Sequence, residues 1–390
     1  MRRLPLLLLP LFLLAGPAPA APLDAVWTDP SLETREVAVL SLGNGRLRFV
    51  DADRNVGEAS LRGVVRLAFA ADPAEAAAPT GGLLRLTDGQ RLAGSVAEGP
   101  AASAEHLRWR HPWLGERDVP LERVAAVELT PGPDDAAGPP GRAAPTADEV
   151  RLANGDALVG FVSAAGPGGV TIEPEGPGGP GGEPATLPWS AVAAVRLANP
   201  PAAPPAGDLL RLRDGSRVAV AGLRHDGSMW TVETAGGGAA EAPAHAVAAC
   251  EPGASGLRLL DAADLAVVEP EPADVFGVPF PASWGGGTLH LHAPTAVRVA
   301  APGGGPATAR LVRLRVALEP AAAASPLASV DVTLGAGEPV RLDAGRPAAE
   351  LRAEAVSLPL ELTLGEAEHG PVLDRVVVER LEVLIEATGD

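Results

Sequence analysis

The sequence has no lysine, no tyrosine, one cysteine (Cys250) and two methionines in 390 residues, and only 3% of it is aromatic. A single thiol excludes an intramolecular disulfide framework and any C-x-x-C centre. All 31 basic side chains are arginines, set against 49 carboxylates for a formal charge of -18. A chain this acidic repels phosphate backbones, which excludes nucleic acid as a general partner. Beyond the first residues no stretch approaches 18 uninterrupted apolar residues, so no integral membrane segment is expected in the mature chain. Three enzyme signatures are also missing: a G-x-S-x-G elbow, an H-E-x-x-H helix and a Walker lysine. No cofactor, resident metal or catalytic set is therefore expected.

The first segment carries an address rather than a fold. Arg2 and Arg3 precede the apolar run Leu4 to Leu14, and Ala18-Pro19-Ala20 supplies small residues at a cleavage point. This is the layout of an export signal over residues 1–20. The expected location is periplasmic or extracellular.

The middle of the chain repeats itself. Leu83-Leu84-Arg85-Leu86-Thr87-Asp88-Gly89, Val150-Arg151-Leu152-Ala153-Asn154-Gly155 and Leu209-Leu210-Arg211-Leu212-Arg213-Asp214-Gly215 share one grammar: a short strand closed by Asp-Gly or Asn-Gly. That dipeptide favours a tight hairpin. Gly94 and Gly160 fall at the same place in the next strand, where a bend or bulge is expected. The closing halves match too, from Val119-Pro120-Leu121, Leu187-Pro188-Trp189 and Ala242-Pro243-Ala244 onward. A three-residue step from Leu121 to Val124 to Val127 predicts a 3₁₀ turn feeding a final strand. The units are placed at 83–130, 149–198 and 208–251, with a partial copy at 31–69. Linkers rich in Ala, Pro and Gly separate them at Ala70 to Thr80, Pro131 to Ala147 and Pro200 to Ala206. Five short strands with a 3₁₀ turn before the last resemble SH3-like and Sm-like barrels. Units of this size need neighbours for stability, so a compact array is expected.

Residues 257–390 read as a separate all-β domain of alternating strands, favouring a β-sandwich or jelly roll. His292-Ala293-Pro294-Thr295-Ala296-Val297 resembles the H-x-P-S/T segment of the NPCBM domains. His369-Gly370-Pro371-Val372-Leu373-Asp374 and the strand after it resemble their terminal segment, with Val378 near the family's usual aromatic. The lead-in at Leu257 to Glu269 resembles that of secreted planctomycete-type proteins, in which repeated units often precede such a domain. The resemblance implies a galactose-binding-like β-sandwich and a carbohydrate ligand. The fold expected for the whole chain is all-β: an array of small SH3-like barrels followed by that sandwich.

Candidate chemistry is sparse. Trp284, Trp113, His292 and Asp374 are the possible ligand contacts. His290 and His292 lie two apart on a strand, but a metal would need a third ligand such as His369 or Asp374, so the pair reads as structural. His106, His111 and Asp118 read as a hairpin tip rather than a general-base site. Cys250 replaces Val127 and Val195 in the repeat, as a small core hydrophobe does. The function expected is that of an exported, non-catalytic scaffold or interaction protein of the cell envelope. Its partner would be an envelope or extracellular protein, or a polysaccharide. Carbohydrate binding by the sandwich and an undetected hydrolase are the alternatives.

Overall fold

The computed structural model describes residues 22–70, 81–99, 103–129, 146–176, 179–180, 182–202, 205, 207–226, 228–234, 238–262, 264–271, 273–275, 278–285, 288–301, 307–365 and 375–386. The expected export signal and most of the first two expected linkers lie outside these residues. The protein is nearly all β, built of antiparallel sheets.

Four small units occupy the first two thirds, the first two of five strands each and the third and fourth of six. In the second unit the strands are Gly82–Leu86, Arg91–Val96, His106–His111, Gly115–Pro120 and Val124–Glu128. The third and fourth units open with Asp148–Leu152 and Asp208–Leu212 and close with Val192–Arg196 and Val247–Glu251. In every unit the first strand pairs with both the second and the last, which closes a small sheet around apolar side chains. A 3₁₀ turn precedes each last strand, at Leu61–Gly63, Leu121–Arg123, Trp189–Ala191 and Ala244–Ala246. Pro120, Pro188 and Pro243 cap three of these turns with φ between -57° and -64°. Proline fixes that angle and lacks the N–H that would extend the ladder, so the strand stops and the turn begins.

The Asp-Gly signal forms a hairpin, with one residue more in the loop than the tightest type. Leu86 N–H donates to the Gln90 carbonyl across Thr87, Asp88 and Gly89, and Gly89 has φ +82°. Gly155 and Gly215 repeat that left-handed angle at +93° and +87°. The Gly94 position is equally constrained. Its φ is +148°, and a Cβ there would run into the Arg110 carbonyl and the Trp109 ring.

The first unit departs from its expected bounds. It starts at Leu23, not residue 31, and has all five strands, because Leu23–Thr28 pairs with both Thr34–Gly43 and Arg66–Phe69. Its first connection lacks the Asp-Gly signal. Asp29 to Glu33 makes the turn instead, with Leu32 buried at φ +59°.

The units join as pairs. The last strands of the second and third units pair with each other, as do those of the first and fourth. The second strands of the second and fourth units then meet at Arg91 and Arg217. One continuous apolar cluster runs through all four units and includes Trp27, Trp109, Trp230 and Cys250.

From Leu257 the chain forms a two-sheet sandwich. In one sheet Arg375–Glu386 has Ala307–Leu318 on one edge and both Leu257–Asp261 and Thr288–His292 on the other. The second sheet orders Ala266–Glu271, Thr295–Ala300, Leu360–Leu364, Ser329–Leu334 and Val340–Asp343. The run from Ser357 to Leu364 reads as one strand but divides at Pro359. Ala348–Leu358 belongs to the first sheet and Leu360–Leu364 to the second. Buried Leu, Val and Ala from both sheets fill the space between them.

Candidate functional site

Among the described residues, a dense cluster of buried charge lies where three units meet the lead-in to the sandwich. Four arginines converge there: Arg66 from the first unit, Arg91 from the second, and Arg211 and Arg217 from the fourth. Glu251 ends the fourth unit, Asp261 ends the strand Leu257–Asp261, and Asp264 follows it. Arg66 reaches Glu251 at 2.8 Å and Asp261 at 3.4 Å. Arg211 binds all three carboxylates, at 2.9 Å to Glu251, 3.1 Å to Asp261 and 2.6 Å to Asp264. Arg217 adds 3.0 Å to Asp264, and Arg91 lies 3.6 Å from the same oxygen. Both Arg66 and Arg211 also donate to the Leu259 carbonyl. Arg258 donates to the carbonyls of Pro205 and Gly207, which ties the sandwich to the connector before the fourth unit.

Burial alone would push these carboxyls upward. For Asp264 the guanidinium groups of Arg211, Arg217 and Arg91 outweigh it and hold the carboxyl well below the usual range. Glu251 is likewise lowered, with Arg66 and Arg211 opposing its burial. Such a network is costly to desolvate and costly to break, because removing one member strands the others in a dry site. It therefore fixes the relative placement of the units and the sandwich. An apolar seam beside it, formed by Leu32, Val65, Leu257, Leu259, Leu311 and Leu384, joins the first unit to the sandwich.

A second polar cluster has the composition of a hydrolytic triad but not its wiring. His111 Nε2 lies 2.9 Å from Ser216 Oγ and 3.2 Å from Asp214 Oδ2. His111 Nδ1 accepts the backbone N–H groups of Trp113 and Leu114, both at 3.1 Å. The ring proton must then sit on Nε2, facing the serine. Ser216 Oγ also accepts the Ala93 N–H at 2.8 Å. A serine nucleophile needs a base with a free lone pair at that position, with the carboxylate on the far ring nitrogen. Here the histidine donates, and all three residues are buried. The trio fastens the second unit to the fourth. His106, at the other end of the same strand, pairs with Ser103 Oγ, and Asp118 lies opposite Arg108.

The expected ligand contacts are dispersed. Trp113 falls on the turn between His106–His111 and Gly115–Pro120, but it is half-buried against the core, 5.9 Å from the His111 ring. This corrects the expectation of an exposed platform there: the loop folds back on its own unit. His292 is buried beside Phe280, and its Nδ1 donates to the Ala293 carbonyl, so it packs rather than presents a ring to solvent. His290 is held by Glu319 and Thr288. The Trp284 backbone pairs with Leu289, but its side chain lies outside the described part. Asp374 lies outside the described residues altogether. Among the described residues, no three His, Cys, Asp or Glu side chains form a metal-binding group, and no helix is long and apolar enough to cross a membrane.

The ion-pair junction escaped the sequence reading, although its parts were in view. Arg85, Arg151 and Arg211 repeat at one position, and Glu128 and Glu251 end the last strands of two units. Arg85 and Glu128 form the matching pair in the second unit, at 2.9 Å.

No family model matches the chain, and no curated protein matches it. Among solved structures it is similar to parts of Clostridium perfringens ZmpB. The CBM51-2 and INT domains are 15% identical over 26% of this chain and 23% of theirs, with a TM-score of 0.21. The same pair with CBM51-2 bound to GlcNAc is 10% identical over 40% and 36%, also at 0.21. The M60 catalytic domain with CBM51-1 and CBM51-2 is 11% identical over 90% of this chain and 31% of that one, at 0.20. This chain thus spans about a quarter to a third of those chains. The superpositions are loose and say nothing of what it binds.

Proposed function

We propose that this protein is an exported, non-catalytic scaffold of the cell envelope that presents its units and its sandwich as one fixed body. The observation that supports this reading is the buried junction of Arg66, Arg91, Arg211 and Arg217 with Glu251, Asp261 and Asp264. Its charges are spent on one another rather than on an open cleft, as a site built for rigidity requires. The wiring of His111 and Ser216 agrees, since it leaves the serine without a base.

The test pairs capture with turnover. The chain Ala21 to Asp390 is immobilised and incubated with the source organism's envelope fraction, then assayed on polysaccharide, ester and peptide substrates. Saturable capture of one envelope component without turnover is expected. Turnover of any substrate class, or no specific capture, contradicts the proposal. A glycan array run alongside identifies a sugar partner, with Trp284 as the first alanine substitution.

A further inference from the structure

The second and fourth units meet through a reciprocal contact. Around the Arg91–Arg217 register pair, Ser216 Oγ accepts the Ala93 N–H at 2.8 Å and Gln90 Oε1 accepts the Ala219 N–H at 2.8 Å. The residue before each arginine thus caps the N–H two residues after the other arginine. The contact is a local two-fold between equivalent hairpins.

The third unit has the same hairpin. Asp156 stands where Gln90 and Ser216 stand, Ala157 where the two arginines stand, and Val159 where Ala93 and Ala219 stand. Val159 lies opposite Glu149, as Ala93 lies opposite Leu83 and Ala219 opposite Leu209. The shared register puts the Val159 N–H on the edge that carries the contact in the other two units. Among the described residues no other unit pairs with that edge of the hairpin. Ala93 is 3% exposed, whereas Val159 is 45% exposed and Phe161, two residues on and on the same face, is 60% exposed. Large exposed apolar side chains on an open sheet edge are a pairing surface.

We infer that the third unit's hairpin is a self-association surface, and that its occupant is the same hairpin of a second copy of this chain. The two-fold contact inside the molecule is the argument for that occupant. Two copies would oppose Ala157 to Ala157, each Asp156 carboxylate accepting the other copy's Val159 N–H, with both Phe161 rings covered. The internal contact opposes two arginines and needs Asp264 between them. Alanine at that place needs no such counterion, so the third unit's pairing closes without an additional element. The glutamates opposite Val159 and Phe161, Glu149 and Glu173, bring like charges together. Salt therefore strengthens this association.

Sedimentation velocity on the chain Ala21 to Asp390, over a concentration series at low and high salt, tests the inference. A monomer–dimer equilibrium favoured by salt is expected, with Phe161→Asp weakening it about tenfold or more. Phe161 is mostly exposed, so that variant keeps the wild-type unfolding temperature. Ala157→Cys supplies the register test, since Cys250 is buried and does not compete. Paired strands set facing Cα atoms at disulfide distance. Mild oxidation should cross-link Ala157→Cys chains well ahead of a Val56→Cys control, whose site is 61% exposed on the first unit. A chain monomeric throughout, a dimer indifferent to Phe161→Asp, or cross-linking no faster than the control overturns the inference.

Discussion

Individual residues carry charge into places where water does not follow. Asp264 is the sharpest case, with 1% of its side chain exposed and three arginines around it. Replacing it with alanine leaves those cations facing one another. Asp264→Ala should cost about 3–5 kcal/mol in denaturant unfolding, and Asp264→Asn should cost less because it keeps the shape and an acceptor. The pH dependence follows in sign. Asp264 and Glu251 both titrate lower in the folded chain, so their contribution is full above the ordinary carboxylate range and is lost as pH falls through their folded values. His225 acts at higher pH. Burial lowers its pKa, its Nε2 has no hydrogen-bond partner among the described residues, and its ring stacks on Trp230 at 4.6 Å. The unfolded chain takes up that proton more readily, so stability declines as pH falls below about 6.5. A urea titration of His225→Phe between pH 7 and 5 should show a smaller decline than wild type. The Cys250 thiol is fully buried and pushed up by desolvation. Ellman's reagent should leave it untouched in the native chain and modify it on unfolding. The expected core place of this cysteine was legible, because a residue that exchanges with valine in a repeat is packed like one.

At the scale of elements, the repeat was readable because turns are local. Asp-Gly, Asn-Gly and the proline before three of the four 3₁₀ turns mark positions where backbone angles are forced, and the strands between them follow. The first unit shows the limit. Its opening turn uses Leu32 at φ +59°, a choice that only buried packing sustains, so no local signal announced Leu23–Thr28 as a strand. The division at Pro359 was hidden for the opposite reason. Both halves alternate well, and only the assignment to different sheets separates them. Gly94 tests the element argument. Gly94→Ala places a Cβ against the Arg110 carbonyl at a left-handed φ, and should cost more than about 1 kcal/mol by chemical denaturation. Gly45→Ala, at φ +74° with open space around it, serves as the comparison, carrying backbone strain without the clash.

For the whole molecule, the important contacts join residues far apart in the chain. Arg66 meets Glu251 and Asp261, Arg91 meets Asp264, and Glu33 meets Arg352. Periodicity and turn chemistry speak only of neighbours, which is why the sequence suggested separate units and a separate sandwich but not the junction between them. A chain of net charge -18 produces carboxylate pairs such as Asp261 and Asp264 freely, so the pair carries no local signal. Its role depends on arginines supplied by three different units. Binding-site reasoning fared worse, because Trp113 and His292 are drawn into packing by their own domains.

The central claim is that the Asp264 junction holds the first, second and fourth units to the sandwich, and that the third unit is carried on the second by strand pairing. Differential scanning calorimetry of wild type and Asp264→Ala tests it most directly. The account predicts a single cooperative transition for wild type. In the variant it predicts two, the earlier from the four-unit array and the later from the sandwich on its own. Two independent transitions already present in wild type, or an Asp264→Ala profile that overlays it, would contradict the account.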